Sequence, residues 1–166
     1  MNLAKILIVD HEQENLQLMA HVIENAGCGI TRNVFDLREA VHVCQQFEPD
    51  LVLIDLQAQD NFSVIRQIHE TSSSDLHPMI LVFSTDHSAK TRRRALGEGA
   101  HDFLTKPLDR IEFLLRCRNL LHARFAQQHL MDKIARLEGR LQQTNSIQFS
   151  ERGNFMSGSN FLWAIS

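Results

Sequence analysis

Short apolar runs alternate with segments of helical period along most of the chain. The clearest predicted strands are Lys5–Val9, Leu51–Ile54 and Met79–Phe83, and each is too short for an ordinary helix. Strands that are apolar at nearly every position suit a parallel sheet that is covered by helices on both faces. The intervening segments carry apolar residues at i, i+3, i+4 and i+7, as amphipathic helices do. The pattern therefore predicts an α/β fold with a five-stranded, doubly wound parallel sheet of the flavodoxin-like type.

Reactive side chains follow the predicted strands. Asp10, Asp55 and Ser84 come directly after the three clearest runs, and Lys106 follows a short predicted strand at Asp102–Leu104. The carboxyl ends of the strands line the ligand crevice in an open parallel sheet, so we expect these four groups to lie together. Two carboxylates, a hydroxyl and an ammonium suit a divalent metal ion and phosphoryl chemistry.

Composition narrows the class of protein. A chain of 166 residues is long enough for one ordinary domain and an appendage, and no segment is apolar enough to span a membrane. The amino terminus has no signal-peptide pattern, and the three cysteines are scattered, so we expect a cytoplasmic protein without disulfides. A net charge of −3 gives no electrostatic reason to expect nucleic acid binding by this chain.

The last third of the chain has a different pattern. A helix is predicted to begin after Asp109 and to continue to about Gln143. We divide the chain into a domain at 1–122, a helical extension at 123–145 and a disordered tail at 146–166. A parallel homodimer through a coiled coil would use the seam Leu120, Ala123, Gln127, Leu130, Ile134, Leu137 and Leu141. A solvated, charged helix explains the same segment equally well.

Three segments together resemble one protein family. They are Ile6–Glu12, Pro49–Asp55 and Ala95–Pro107, and in their order and spacing they resemble the receiver domain of bacterial two-component response regulators over roughly residues 3–122. The resemblance implies a phosphorelay receiver that accepts a phosphoryl group on Asp55 from a sensor histidine kinase or phosphotransfer protein. It implies no enzyme activity beyond this self-directed transfer and autodephosphorylation. The long helix resembles linkers to cyclic-dinucleotide enzymes, so the chain also fits the front of a longer regulator.

The resemblance also implies a Mg²⁺ site. Its protein ligands would be the carboxylates of Asp10 and Asp55 and the backbone carbonyl of Gln57. Receivers usually have a second acid after the first one, and here that position is His11. Imidazole is a poor ligand for Mg²⁺, so His11 puts the metal affinity in question. His11 either offsets phosphoryl charge when protonated or points outward while the two carboxylates and water hold the metal.

Further roles are implied by the resemblance. Lys106 and Ser84 match the ammonium and the hydroxyl that contact the phosphoryl group, and Phe103 matches the aromatic side chain that moves with that hydroxyl. Pro107 makes the Lys106–Pro107 peptide bond a candidate for the cis form, which would aim Lys106. Phe103 on a short strand equally suits a role in the core.

Residues next to the predicted acceptor are expected to influence hydrolysis of the acyl phosphate. They are Gln57, Thr85 and Asp86. The loop after Asp55 is shorter than receivers usually have, and Gln59 stands where a proline is common. These departures leave two other functions open. One is a pseudo-receiver that acts as an interaction or dimerisation module without phosphorylation, and the other is a haloacid-dehalogenase-type phosphatase with Asp10 as nucleophile.

Overall fold

The computed structural model describes residues 3–57, 62–72 and 76–158, with side chains described as far as Arg152. Strands and helices alternate along the chain. In chain order they are β1 (Lys5–Val9), α1 (Gln13–Asn25), β2 (Ile30–Val34), α2 (Leu37–Phe47), β3 (Leu51–Leu56), α3 (Phe62–Glu70), β4 (Met79–Ser84), α4 (Ala89–Gly97), β5 (Asp102–Thr105) and α5 (Arg110–Gly158).

The five strands form one parallel sheet in the order β2-β1-β3-β4-β5. The predicted α/β fold is therefore confirmed. The strand order reverses between β1 and β3, and such a reversal opens the crevice in which ligands of doubly wound sheets bind. The residues at the carboxyl ends of β1 and β3 are thus the ones that the topology places at a binding site.

Each face of the sheet buries its own apolar layer because successive side chains on a strand point to opposite faces. On β1, Ile6 and Ile8 join the layer formed with α1 and α5, whereas Leu7 and Val9 join the layer formed with α2, α3 and α4. All six residues of β3 are buried, and so are all six of β4. These two strands are covered on both faces and hold the middle of the sheet rigidly.

The helix α5 begins as the sequence predicts, with the Asp109 carboxylate accepting a hydrogen bond of 2.8 Å from the backbone N–H of Glu112. It continues through residues 146–158, where a disordered tail was expected. No proline interrupts this stretch, although its serine, asparagine and glycine residues are weak helix formers. Residues 159–166 lie outside the described part of the chain.

The chain divides into two compact units, and the boundary between them lies within α5. The first is Met1–Ala126 and the second is Gln127–Ser166, so the first unit ends four residues beyond the boundary expected at 122. In the first unit, α5 buries Phe113, Cys117 and Leu121 against the sheet. In the second unit, every side chain described, from Gln127 to Arg152, is exposed.

The end of the first unit is held by Arg124, which is 9% exposed. Its Nη1 donates to the backbone carbonyl of His77 at 3.2 Å, and its Nε lies 3.5 Å from Oδ1 of Asp50. The other oxygen of Asp50 accepts a hydrogen bond of 2.9 Å from the backbone N–H of Lys5. Arg124 therefore joins α5 to segments that precede three different strands or lie at their starts.

Among the described residues, none of the helices has the length and apolar character that crossing a membrane requires.

Candidate functional site

The sheet brings the predicted site residues to one edge. Asp10 follows β1 directly, Asp55 lies near the end of β3, and Ser84 ends β4. In the register between β3 and β4, Asp55 is opposite Phe83 and Leu56 is opposite Ser84. Asp10, Asp55 and Ser84 are 2%, 6% and 3% exposed, and these low values mark them as rare buried polar groups beside the apolar residues of β1, β3 and β4.

Asp10 is a buried carboxylate with one oxygen unsatisfied. Its Oδ1 accepts a hydrogen bond of 2.9 Å from the backbone N–H of Glu12. Its Oδ2 is buried and has no hydrogen-bond partner among the described residues, and the nearest cation, Nζ of Lys106, lies 3.9 Å away. Burial raises the pKa of Asp10, and the negative charge of Asp55 raises it further. A cation placed here would stabilise the ionised form.

Asp55 has different partners on its two oxygens. Oδ1 lies 2.9 Å from Nζ of Lys106, which is a close ion pair. Oδ2 accepts a hydrogen bond of 3.2 Å from Nε2 of Gln57 and lies 3.7 Å from Nδ1 of His11. The structure thus brings the predicted acceptor, the predicted lysine and Gln57 together. Gln59, which was noted in the following loop, lies outside the described residues.

His11 is half-exposed and lies between acids. Its Nδ1 is 3.4 Å from Oδ1 of Asp10, and its Nε2 is 3.5 Å from Oε1 of Glu12. Asp10, His11 and Asp55 form a group whose ligand atoms all lie within 4.8 Å of one another. The two carboxylates fit Mg²⁺, which prefers oxygen ligands, but the imidazole that completes the group does not. The fit to Mg²⁺ is therefore incomplete.

The hydroxyl and the aromatic residue are both buried. Ser84 Oγ accepts a hydrogen bond of 3.1 Å from the backbone N–H of Asp86, and its backbone carbonyl accepts one of 2.9 Å from the N–H of Lys106. The side chain of Phe103 is 7% exposed and belongs to the layer under α4. Cζ of Arg92 lies 5.7 Å from the centre of the Phe103 ring. Phe103 therefore fills core space in this conformation.

Two residues that were expected to influence hydrolysis face outward. Thr85 and Asp86 are both exposed. The Asp86 carboxylate accepts hydrogen bonds from the hydroxyl of Thr91 and from the backbone N–H of Ser88, and these bonds lower the pKa of Asp86. In this conformation its contacts are with the first turn of α4, whereas Gln57 contacts Asp55 directly.

One contact was not anticipated from the sequence. Asn15, in the first turn of α1, donates a hydrogen bond of 3.0 Å to Oε2 of Glu12 and so holds the acid that lies beside His11. The Lys106–Pro107 peptide bond is cis, as the sequence suggested. A pocket of about 230 Å³ adjoins the site, and its lining is Asp10, Asn15, Leu18, Met19, Phe83, Lys106, Pro107 and Leu108.

The fold and these residues define a receiver. Residues 6–118 match the family model of the response regulator receiver domain, and the chain belongs to this family. It is homologous to phosphorelay response regulators, and these relatives do not favour the phosphatase interpretation.

Among the relatives is the transcriptional regulatory protein GltR of Pseudomonas aeruginosa, which is 32% identical over 164 residues, 94% of this chain and 66% of that protein. The cyclic di-GMP phosphodiesterase response regulator RpfG of Xanthomonas campestris is 30% identical over 151 residues, 89% of this chain and 40% of RpfG. The crystal structure of NtrX from Brucella abortus in complex with ADP superimposes with a TM-score of 0.69 at 25% identity, covering 80% of this chain and 29% of NtrX. The curated relatives that it matches are longer proteins, and the chain spans between 26% and 66% of the length of the first three.

Proposed function

We propose that Asp55 accepts a phosphoryl group from the phosphohistidine of a sensor histidine kinase or phosphotransfer protein. The observation that carries the proposal is the buried Asp55 carboxylate with the Lys106 ammonium 2.9 Å from one of its oxygens. A carboxylate oxygen attacks phosphorus, the bond from phosphorus to the donor imidazole breaks, and the released histidine keeps the electron pair of that bond. A carboxylate oxygen is itself the nucleophile and has no proton to remove, so this attack needs no general base.

Charge is the main obstacle to the reaction, since a carboxylate and a phosphoryl group repel each other. Lys106 offsets part of this charge by pairing with a phosphoryl oxygen. If Mg²⁺ binds, the carboxylates of Asp10 and Asp55 and the backbone carbonyl of Gln57 would hold it, and it would neutralise phosphoryl charge. Ser84 ends β4 beside the carboxyl end of β3, and its hydroxyl would donate a hydrogen bond to the attached phosphoryl group.

The proposed switch follows from that hydrogen bond. In this conformation Ser84 Oγ accepts from the N–H of Asp86 at the β4–α4 connection. Turning the hydroxyl toward a phosphoryl group on Asp55 would draw this connection toward the site. Phe103 packs under α4 and would move into the space that is released. New charge-assisted hydrogen bonds of this kind are sufficient to shift a receiver between two conformations.

Intact-mass measurement after incubation with acetyl phosphate and Mg²⁺ tests the proposal. We expect a mass gain of one phosphoryl group in the wild type and none in Asp55→Asn. No gain in the wild type would favour the pseudo-receiver. Hydrolysis of a small phosphomonoester that survives Asp55→Asn but is lost in Asp10→Asn would favour the phosphatase.

We also propose that the second unit forms a parallel two-stranded coiled coil with a second copy of the chain. The observation that favours it is a row of apolar side chains left exposed on one face of α5, at Leu130 (59%), Ile134 (49%), Leu137 (53%) and Leu141 (64%). These residues alternate at spacings of four and three, and isoleucine at position a with leucine at position d favours dimers. Gln127, at an a position, would fix the register.

Charges flanking this seam favour the parallel arrangement. With Ile134 at position a, Lys133 occupies position g and Glu138 occupies the e position that it meets on the second copy. The neighbouring g–e pairs, Ala126 with Met131 and Arg140 with Asn145, contain no like charges. Light scattering of the full chain and of a chain ending after Ala126 tests the proposal. We expect a dimer and a monomer respectively, and a monomeric full chain would refute the coiled coil.

A further inference from the structure

We propose that Asp10, His11 and Asp55 bind a divalent transition-metal ion such as Zn²⁺ in preference to Mg²⁺. The inference uses the same residues as the proposed phosphorylation, but it does not require that phosphorylation occurs. It is drawn from the position of the His11 imidazole, from the contacts of its two ring nitrogens and from the unsatisfied oxygen of Asp10.

The spacing of the ligand atoms suits a small cation. His11 Nδ1 lies 3.4 Å from Oδ1 of Asp10 and 3.7 Å from Oδ2 of Asp55. Metal–ligand bonds of about 2.0 to 2.2 Å place the ligands of a tetrahedral site about 3.4 Å apart. The ligand atoms of the three side chains all lie within 4.8 Å of one another, so side-chain rotations would bring them to the spacing of a tetrahedral site. The half-exposed edge of His11 leaves room for a water ligand.

The other nitrogen of His11 faces the kind of partner that a metal-bound histidine usually has, at a distance slightly longer than a hydrogen bond. Nε2 lies 3.5 Å from Oε1 of Glu12, and Asn15 holds the second oxygen of Glu12 with a hydrogen bond of 3.0 Å. A carboxylate that accepts from the far ring nitrogen fixes the tautomer and leaves the near nitrogen free to bind metal. Glu12 is thus a positioning residue for His11.

The buried charge of the site also calls for a cation. Asp10 Oδ2 is buried without a hydrogen-bond partner among the described residues, and Lys106 alone faces two carboxylates. A divalent ion held by these side chains would neutralise the excess negative charge that Lys106 leaves. Magnesium takes oxygen ligands almost exclusively, whereas Zn²⁺ and neighbouring transition metals accept imidazole readily and bind mixed sites more tightly.

Equilibrium dialysis of the metal-free full chain tests the inference, with Zn²⁺ alone, Mg²⁺ alone, and Zn²⁺ in excess Mg²⁺. We expect one Zn²⁺ per chain to be retained in excess Mg²⁺. His11→Asp should lose this preference, and Glu12→Gln should weaken Zn²⁺ binding by about 10- to 100-fold. His42→Ala removes an exposed histidine of α2 and is the matched control, expected to bind as the wild type does.

A second readout reports the ligands themselves. Co²⁺ in place of Zn²⁺ should give a visible absorption spectrum that changes in His11→Ala and is unchanged in His42→Ala. Equal Zn²⁺ uptake by the wild type, His11→Asp and His11→Ala, or a loss of binding in His42→Ala, would overturn the inference by placing the metal elsewhere. Phosphorylation of Asp55 by acetyl phosphate is measured separately by mass, so either proposal can fail while the other stands.

Discussion

Lys106 Nζ lies 2.9 Å from Oδ1 of Asp55. The ammonium is thus held against the proposed acceptor, and its side chain is largely buried. The same nitrogen is 3.9 Å from Asp10, so one lysine serves two carboxylates.

Replacing Lys106 should slow phosphorylation. Lys106→Gln removes a charge-assisted contact to the incoming group, and a loss of about 1.5 to 3 kcal/mol would slow the reaction about 10- to 160-fold. The initial rate with acetyl phosphate, followed by intact mass, measures the effect. Lys90→Gln, on the exposed face of α4, is the control and should react at the wild-type rate. A wild-type rate in Lys106→Gln would contradict the role given to Lys106.

Neutralising Asp10 should stabilise the metal-free protein. Burial raises the pKa of Asp10, so its ionised form is less favourable in the folded state than in the unfolded state. We expect Asp10→Asn to increase the free energy of unfolding at pH 7 by about 1 to 2 kcal/mol in the presence of a chelator. Urea unfolding measures the difference.

The pH dependence of that difference has a definite sign. Below about pH 3 Asp10 is protonated in both the folded and the unfolded state. A change of pH in that range should therefore alter the free energy of unfolding of the wild type and of Asp10→Asn equally. As the pH rises through the raised pKa that Asp10 has in the folded state, the wild type loses stability relative to the variant. The gain in Asp10→Asn should therefore grow above about pH 4 and then level off. A gain that is constant with pH would exclude the carboxylate charge as its cause.

Ser84→Ala should separate phosphorylation from the conformational change. Asp55 should still gain the phosphoryl group, because Ser84 contacts it only after attachment. The ring resonances of Phe103 should shift on phosphorylation of the wild type but remain unchanged in the variant, as NMR of phenylalanine-labelled protein would show. An equal shift in both proteins would mean that Phe103 responds without the hydroxyl.

The buried thiols should resist alkylation. Burial raises the pKa of Cys44 to about 11 and that of Cys117 to about 12, and thiolates are the reactive form. Cys28 is partly exposed, and burial raises its pKa as well. At pH 8 iodoacetamide should label Cys28 slowly and the other two only in denaturant, which peptide mass mapping would show. Rapid labelling of Cys117 in the folded protein would contradict its burial.

Charge exchange tests the coiled-coil register. Lys133→Glu and Glu138→Lys each place like charges across the proposed parallel dimer, so each should weaken dimerisation. The double variant restores opposite charges and should recover most of the wild-type affinity in sedimentation equilibrium. Failure of the double variant to recover would exclude a Lys133–Glu138 pairing between copies.

The sequence predicts the sheet well because its signal is local. Continuous apolar runs identify β1, β3 and β4, and the order of the elements follows from the chain. The convergence of Asp10, Asp55 and Lys106 follows from parallel topology alone. The contact of Glu12 with His11 cannot be predicted from the topology, since it depends on the side-chain rotamers of two adjacent residues. The helix beyond residue 146 was missed because a polar, glycine-containing composition does not distinguish a solvated helix from disorder.

The contact of Arg124 with His77 joins residues 47 positions apart, and Asp50 lies still further back in the chain. During synthesis, all five strands leave the ribosome before this arginine does. A nascent chain that stops at residue 122 already contains the whole sheet, yet Asp50 still lacks its guanidinium partner. The helix α5 therefore supplies the last partner of this polar cluster, and the cluster can be completed only after Arg124 has been synthesised.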